Sequence, residues 1–179
     1  MVPGSTPSDY FAIFGIDKKL ALDLDDLQRR FYASSREWHP DRHARSGAAQ
    51  LAKAEEMSAT LNDAWRTLRD PVARAEYVLA SEGFDIGEQR GRDVPPELLE
   101  EVFELNMILE DARSGDESAK VEVIRALEKF EILLREIDTQ RDVLFTGYDA
   151  APDRETLSKL RSLLNRRKYL ENLVRDARA

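Results

Sequence analysis

The spacing of the apolar residues constrains this chain most. They recur at intervals of three and four, and no stretch alternates apolar with polar residues or carries an Asn-Gly hairpin turn, so strands are nearly excluded. From Gly47 to Leu68 the apolar set is Leu51, Ala54, Met57, Leu61, Ala64, Trp65 and Leu68, which forms one helical face. Upstream, Leu24, Leu27, Phe31 and Trp38 mark one face of another helix, capped by Asp23 or Asp25 and stopped ahead of Pro40. The two helices are expected to pack antiparallel. A short helix with Tyr10, Phe11 and Phe14 precedes them, capped by Asp9 and ended by Gly15, and Asp70-Pro71 restarts a helix through Ala75, Tyr77, Val78 and Leu79. The segment from His39 to Ser46 has no apolar period and reads as an exposed loop.

Glycines and prolines cluster without periodicity between Gly83 and Pro96, which marks a boundary. The expected organisation is a first domain over 9–82, a linker over 83–93 and a second domain over 94–179. In the second domain three amphipathic helices are predicted, at Glu97 to Arg113, Glu117 to Phe145 and Asp153 to Ala177, with breaks at Ser114-Gly115-Asp116 and Thr146-Gly147-Tyr148. Long helices with short connections predict an antiparallel three-helix bundle. The fold class is all-α: a helical hairpin with flanking helices, followed by that bundle.

Composition narrows the function. With 42% apolar and 35% charged residues the chain reads as folded and soluble. It has no cysteine, hence no disulfide and no thiolate for zinc, cluster ligation or catalysis. No stretch approaches the length of an apolar membrane span, and Met1 to Pro7 lacks the features of a signal peptide, so the expectation is a cytoplasmic protein with no membrane partner. A net charge of −8 argues against nucleic acid as a partner. The charge is unevenly distributed. Between Gln28 and Arg45 the bases Arg29, Arg30, Arg36, Arg42 and Arg45 outnumber the acids, whereas Glu97 to Glu117 holds eight acids and a single base, Arg113.

The chemistry concentrates at His39-Pro40-Asp41, between two helices and just after a basic one. Together with Asp9-Tyr10-Phe11, Leu61-Asn62-Asp63-Ala64-Trp65 and Leu68-Arg69-Asp70-Pro71, this resembles the J-domain signature. The resemblance implies that His39, Pro40 and Asp41, aided by Arg29, Arg30 and Arg36, engage a DnaK-type ATPase chaperone and stimulate its ATP hydrolysis. The proline fixes the loop direction, the carboxylate accepts charge-assisted hydrogen bonds, and the arginines speed encounter with an acidic surface. Such a chain is an allosteric ligand and not an enzyme, and it needs no cofactor.

Neither the Gly/Phe-rich linker nor the zinc modules of general J proteins are present. Instead, Trp65-Arg66-Thr67-Leu68-Arg69-Asp70-Pro71 with Arg74-Ala75-Glu76-Tyr77, leading into an acidic helical bundle, resembles the HscB family over nearly the whole chain. That resemblance implies an HscA-type chaperone and an IscU-type iron-sulfur scaffold as partners. It implies a scaffold-binding face of Leu98, Leu99, Phe103 and Glu104 on the first bundle helix, with Tyr169 on the last. Leu99 and Phe103 are four apart and share a stripe. Where the family usually continues with Arg and Glu, this chain has Asn106 and Met107, which makes the face more apolar.

Three other readings compete. The client of the bundle is unrelated to iron-sulfur assembly; or His39, Asp41 and His43 hold a metal for an enzyme, although Pro40 argues against the helix that would put both imidazoles on one face; or the chain is a helical adaptor. Leu99, Phe103 and Tyr169 at helical spacing also fit a bundle core.

Overall fold

The computed structural model describes residues 9–84 and 96–178, apart from the side chains of residues 96–98 and 101. The described residues form eight helices and no strand: α1 (Tyr10–Ile13), α2 (Leu24–Glu37), α3 (Pro40–His43), α4 (Ala48–Arg69), α5 (Pro71–Ser81), α6 (Pro96–Arg113), α7 (Glu117–Ala150) and α8 (Arg154–Ala177). The chain divides into two units within α5, between Val78 and Leu79. The linker expected at 83–93 lies, from residue 85 onward, outside the described residues.

In the first unit the caps sit where short polar side chains precede apolar runs. The Asp9 carboxylate accepts from the Phe11 amide at 3.0 Å, and Asp23 accepts from both Asp25 and Asp26 at 3.0 Å. Gly15, at φ 60, supplies the left-handed turn that ends α1 and lets the Ile16 amide return to the Phe11 carbonyl. Around α4, which packs against α1, α2 and α3, lie the buried Phe11, Phe14, Leu20, Leu27, Leu61 and Leu68. Each such side chain contributes about 2 kcal/mol of burial. Phe31 of α2 stacks on Trp65 late in α4 (centroids 4.9 Å), while Lys53 early in α4 lies 5.7 Å over Trp38 at the end of α2. Those two contacts set the helices antiparallel, as their periodicity predicts.

Arg74 is a buried charge with a structural task. Its Nε donates to the Leu20 carbonyl at 2.8 Å and a terminal nitrogen donates to the Leu68 carbonyl. One guanidinium thereby ties the loop before α2 to the end of α4, satisfying two carbonyls that are otherwise hard to pair.

In the second unit α7 packs against both α6 and α8, and the core draws on all three: Leu105, then Phe130 and Ile137, then Leu170 and Val174. Asp138 on α7 accepts from Arg141 at 2.6 Å and from Arg167 of α8 at 2.8 Å, and Arg178 pairs with Glu131, so α8 runs antiparallel to α7. Asp116 caps α7 and Asp153 caps α8, each through a backbone amide within three residues. One expected break does not occur. The chain stays helical through Thr146-Gly147-Tyr148 as far as Ala150. A glycine inside a helix costs about 1 kcal/mol, which the burial of Phe145 and Tyr148 on either side exceeds.

Candidate functional site

The segment from His39 to Ser46, expected as loop, holds one helical turn, α3. Pro40 occupies its first position, where a missing N–H costs nothing, so proline starts this helix and does not forbid it. His39 is the cap, in extended conformation (φ −64, ψ 126), with its Nδ1 accepting from the Asp41 amide at 3.3 Å. The imidazole also lies 3.7 Å from the Asp41 carboxylate. Both side chains face solvent, that of Asp41 being 91% exposed. The tripeptide is therefore presented outward on a rigid, proline-started turn.

Two side chains fasten this turn to α2. Arg42 donates to the Arg36 carbonyl at 3.0 Å, and His43 Nε2 meets the Glu37 carbonyl at 2.9 Å, a contact in which the imidazole must donate. The His43 ring stacks on Trp38, with centroids 6.0 Å apart. His39 and His43 thus serve different carbonyls and amides. Among the described residues no group of three or more His, Asp and Glu stands close enough to hold a metal.

The three arginines of α2 divide by role. Arg30 is committed to the fold: it pairs with Asp26 at 2.6 Å and donates to the carbonyls of Phe14 and Gly15, both at 3.0 Å. Arg29 shares Asp26 at 3.0 Å but keeps a 69% exposed side chain. Arg36 is exposed and donates to the Tyr32 carbonyl of its own helix. The guanidinium groups of Arg30 and then Arg29 hold the Asp26 carboxyl below its ordinary range. Beside this face a shallow groove is lined by Tyr32, Ser35, Arg36, His39 and Arg42. Tyr32, 56% exposed, had no sequence signal beyond its aromatic character, since its place next to His39 depends on how the turn folds back.

On α6 the apolar residues separate into two faces. Val102 and Leu105 are buried, whereas Leu99 (48%), Phe103 (66%) and Met107 (54%) are exposed, four residues apart. Glu104 and Asn106 are exposed as well. The side chain of Leu98 lies outside the described residues. Met107 lengthens the stripe by one turn beyond the residues expected to form it. Tyr169 is half-buried and packs against the core cluster that contains Leu105 and Leu170. No described helix is long and apolar enough to cross a membrane.

Comparison with known proteins adds to this geometry. Residues 9–77 match the DnaJ domain family. Among solved structures, the chain is similar to the chaperone HscB from Vibrio cholerae, with 27% identity, a TM-score of 0.73 and coverage of 95% of this chain and 96% of that one. It also shares the fold of the human co-chaperone protein HscB, with 22% identity, a TM-score of 0.69 and coverage of 97% and 83%. The chain therefore carries a DnaJ domain over residues 9–77, built around an exposed His39-Pro40-Asp41 turn, and over nearly its whole length it is similar to the chaperone HscB.

Proposed function

We propose that the chain stimulates ATP hydrolysis by a DnaK-type chaperone of the HscA class and delivers to it an IscU-type scaffold for iron-sulfur cluster assembly. The observation that carries this reading is the outward-facing His39-Pro40-Asp41 turn of a DnaJ domain, fastened beside the basic face of α2. Asp41 is free to accept charge-assisted hydrogen bonds from a partner, and Arg29 and Arg36 supply positive charge for encounter. Arg30 contributes to that field while its donors hold the fold. The chain makes and breaks no bond; it favours one state of the chaperone by binding it better.

Delivery falls to the second unit. The exposed Leu99, Phe103 and Met107 offer an apolar strip with Glu104 alongside, suited to an apolar surface with a basic rim. Met107, in place of the acid usual in the family, shifts recognition there from charge toward packing. Tyr169 is assigned a supporting part, its ring backing the bundle core from α8.

The test is single-turnover ATP hydrolysis by a purified HscA-type chaperone, with and without this protein and an IscU-type scaffold. Synergistic stimulation by the two proteins, lost with His39→Gln, is expected. Stimulation indifferent to the scaffold would assign the bundle another client, and stimulation that survives His39→Gln would remove the turn from the mechanism.

A further inference from the structure

The last carbonyls of α2 have no partner within their own helix, as at every helix end. Here the donors come from the turn that follows: Arg42 bonds the Arg36 carbonyl at 3.0 Å and His43 bonds the Glu37 carbonyl at 2.9 Å. Those two carbonyls belong to consecutive residues, and so do the two donors. The Trp38 indole, which packs beside the His43 ring, is approached by Lys53 from α4 at 5.7 Å. The turn is therefore gripped at its C-terminal end by α2 and α4, while at its N-terminal end His39 caps it from the solvent side.

We infer that His43, with Arg42, is a positioning residue for the chaperone-binding tripeptide: it caps α2 and so locks the direction of His39-Pro40-Asp41 relative to the arginine face. This rests on the co-chaperone reading above. Without these two bonds the short α3 turn has little to hold it. Beyond the bonds internal to this single turn, its backbone adds the Arg42 amide to the His39 carbonyl at 3.0 Å and the Ser46 amide to the His43 carbonyl at 2.9 Å. A single isolated turn is a marginal helix. Both donors are cations or potential cations at the C-terminal end of α2, where the helix dipole favours positive charge. The tripeptide itself keeps its chemistry whether or not it is fastened. What fastening supplies is preorganisation, which shows in the concentration needed for docking.

His43→Phe separates the two parts of this contact, because the ring remains to stack on Trp38 while the donor to Glu37 is lost. Two measurements on the full chain test it. In the chaperone ATPase assay, His43→Phe raises the concentration for half-maximal stimulation about three- to tenfold, the range set by one net hydrogen bond. The maximum at saturation is kept, and His43→Gln, which restores a donor, recovers part of the loss. In amide hydrogen exchange without any chaperone, the Arg42 amide of His43→Phe exchanges faster by a similar factor while the Leu61 and Leu68 amides in the core of α4 are unchanged. An unchanged half-maximal concentration together with unchanged Arg42 exchange would overturn the inference. If the unmodified protein stimulates no chaperone, the co-chaperone reading fails, and the exchange experiment still decides whether His43 locks the turn.

Discussion

The two units present their surfaces by opposite means. In the first, the candidate contact is polar and its backbone is over-determined: a proline start, a histidine cap and two side-chain clamps hold three residues in one direction. In the second, it is a strip of ordinary apolar side chains on a regular helix, distinguished only because nothing in the described fold covers it. A turn of the first kind suits a contact that must meet one precise surface and bias its equilibrium. A strip of the second kind suits retention, where buried area matters more than direction and repacking is tolerated.

The sharpest test of this contrast uses two residues of α6 that lie two positions apart. Leu105 is 1% exposed in the core shared by all three bundle helices, and Phe103 is 66% exposed. Leu105→Ala is expected to destabilise the bundle by about 2–5 kcal/mol, measured by urea unfolding. Phe103→Ala should leave stability within about 0.5 kcal/mol and weaken scaffold binding by about 2 kcal/mol, roughly 30-fold by calorimetry. A loss of stability with Phe103→Ala matching that of Leu105→Ala would place Phe103 in the core and erase the distinction.

How far each surface could be read from residues alone follows from the same contrast. Caps, turns and the hairpin are local chemistry, so Asp9, Asp23, Asp70 and the antiparallel α2 and α4 were legible. The tripeptide was legible as a pattern, but its helical turn was not, because Pro40 breaks helices in their interior and begins them at their first position. On α6 periodicity could not decide which apolar face is covered, since Leu98, Leu99, Val102, Phe103, Leu105 and Met107 wrap more than half the helix. The use of Arg30 and Arg74 was hidden for a different reason: their backbone acceptors lie 15 to 54 residues away, apart from Leu68, and Asp26 is the one near partner of Arg30.

Arg74 gives the next largest effect. Arg74→Met keeps much of the volume and removes the guanidinium donors to the Leu20 and Leu68 carbonyls in a buried place, and a loss of about 2–4 kcal/mol in the first unit is expected. Thermal unfolding followed by Trp38 and Trp65 fluorescence reports it, since both tryptophans belong to that unit. A change below about 1 kcal/mol would mean that water replaces the guanidinium and that the carbonyls were never costly.

Smaller still is the difference between neighbouring arginines. Arg30→Ala removes donors to Phe14 and Gly15 and should cost about 1 kcal/mol of stability. Arg29→Ala should cost almost none, while slowing association with the chaperone and reducing its salt dependence. Stopped-flow association at two ionic strengths checks this. Equal association rates for Arg29→Ala and the unmodified protein would restrict chaperone contact to the turn.

The smallest effect compares how the units respond to acid. Asp26 in the first unit is held below its ordinary 3.8 by the side chains of Arg30 and then Arg29. In the second, Asp116 is lowered by Ser118, first through its hydroxyl and then its amide, and Asp153 likewise by Thr156. A carboxyl lowered on folding stabilises the native state fully above its unfolded value, and that contribution disappears as the pH falls through the folded one. All three therefore act above about pH 4 and fade below it. Because the bundle has two such caps at helix starts, Asp116→Asn with Asp153→Asn should flatten the acid limb of its unfolding profile more than Asp26→Asn flattens that of the J domain. Asparagine still caps, so stability near neutrality changes little and the difference appears only in acid. Circular dichroism between pH 3 and pH 7 with urea measures it, tryptophan fluorescence separating the first unit. Identical acid limbs in mutant and unmodified protein would assign the acid sensitivity of both units to other carboxylates.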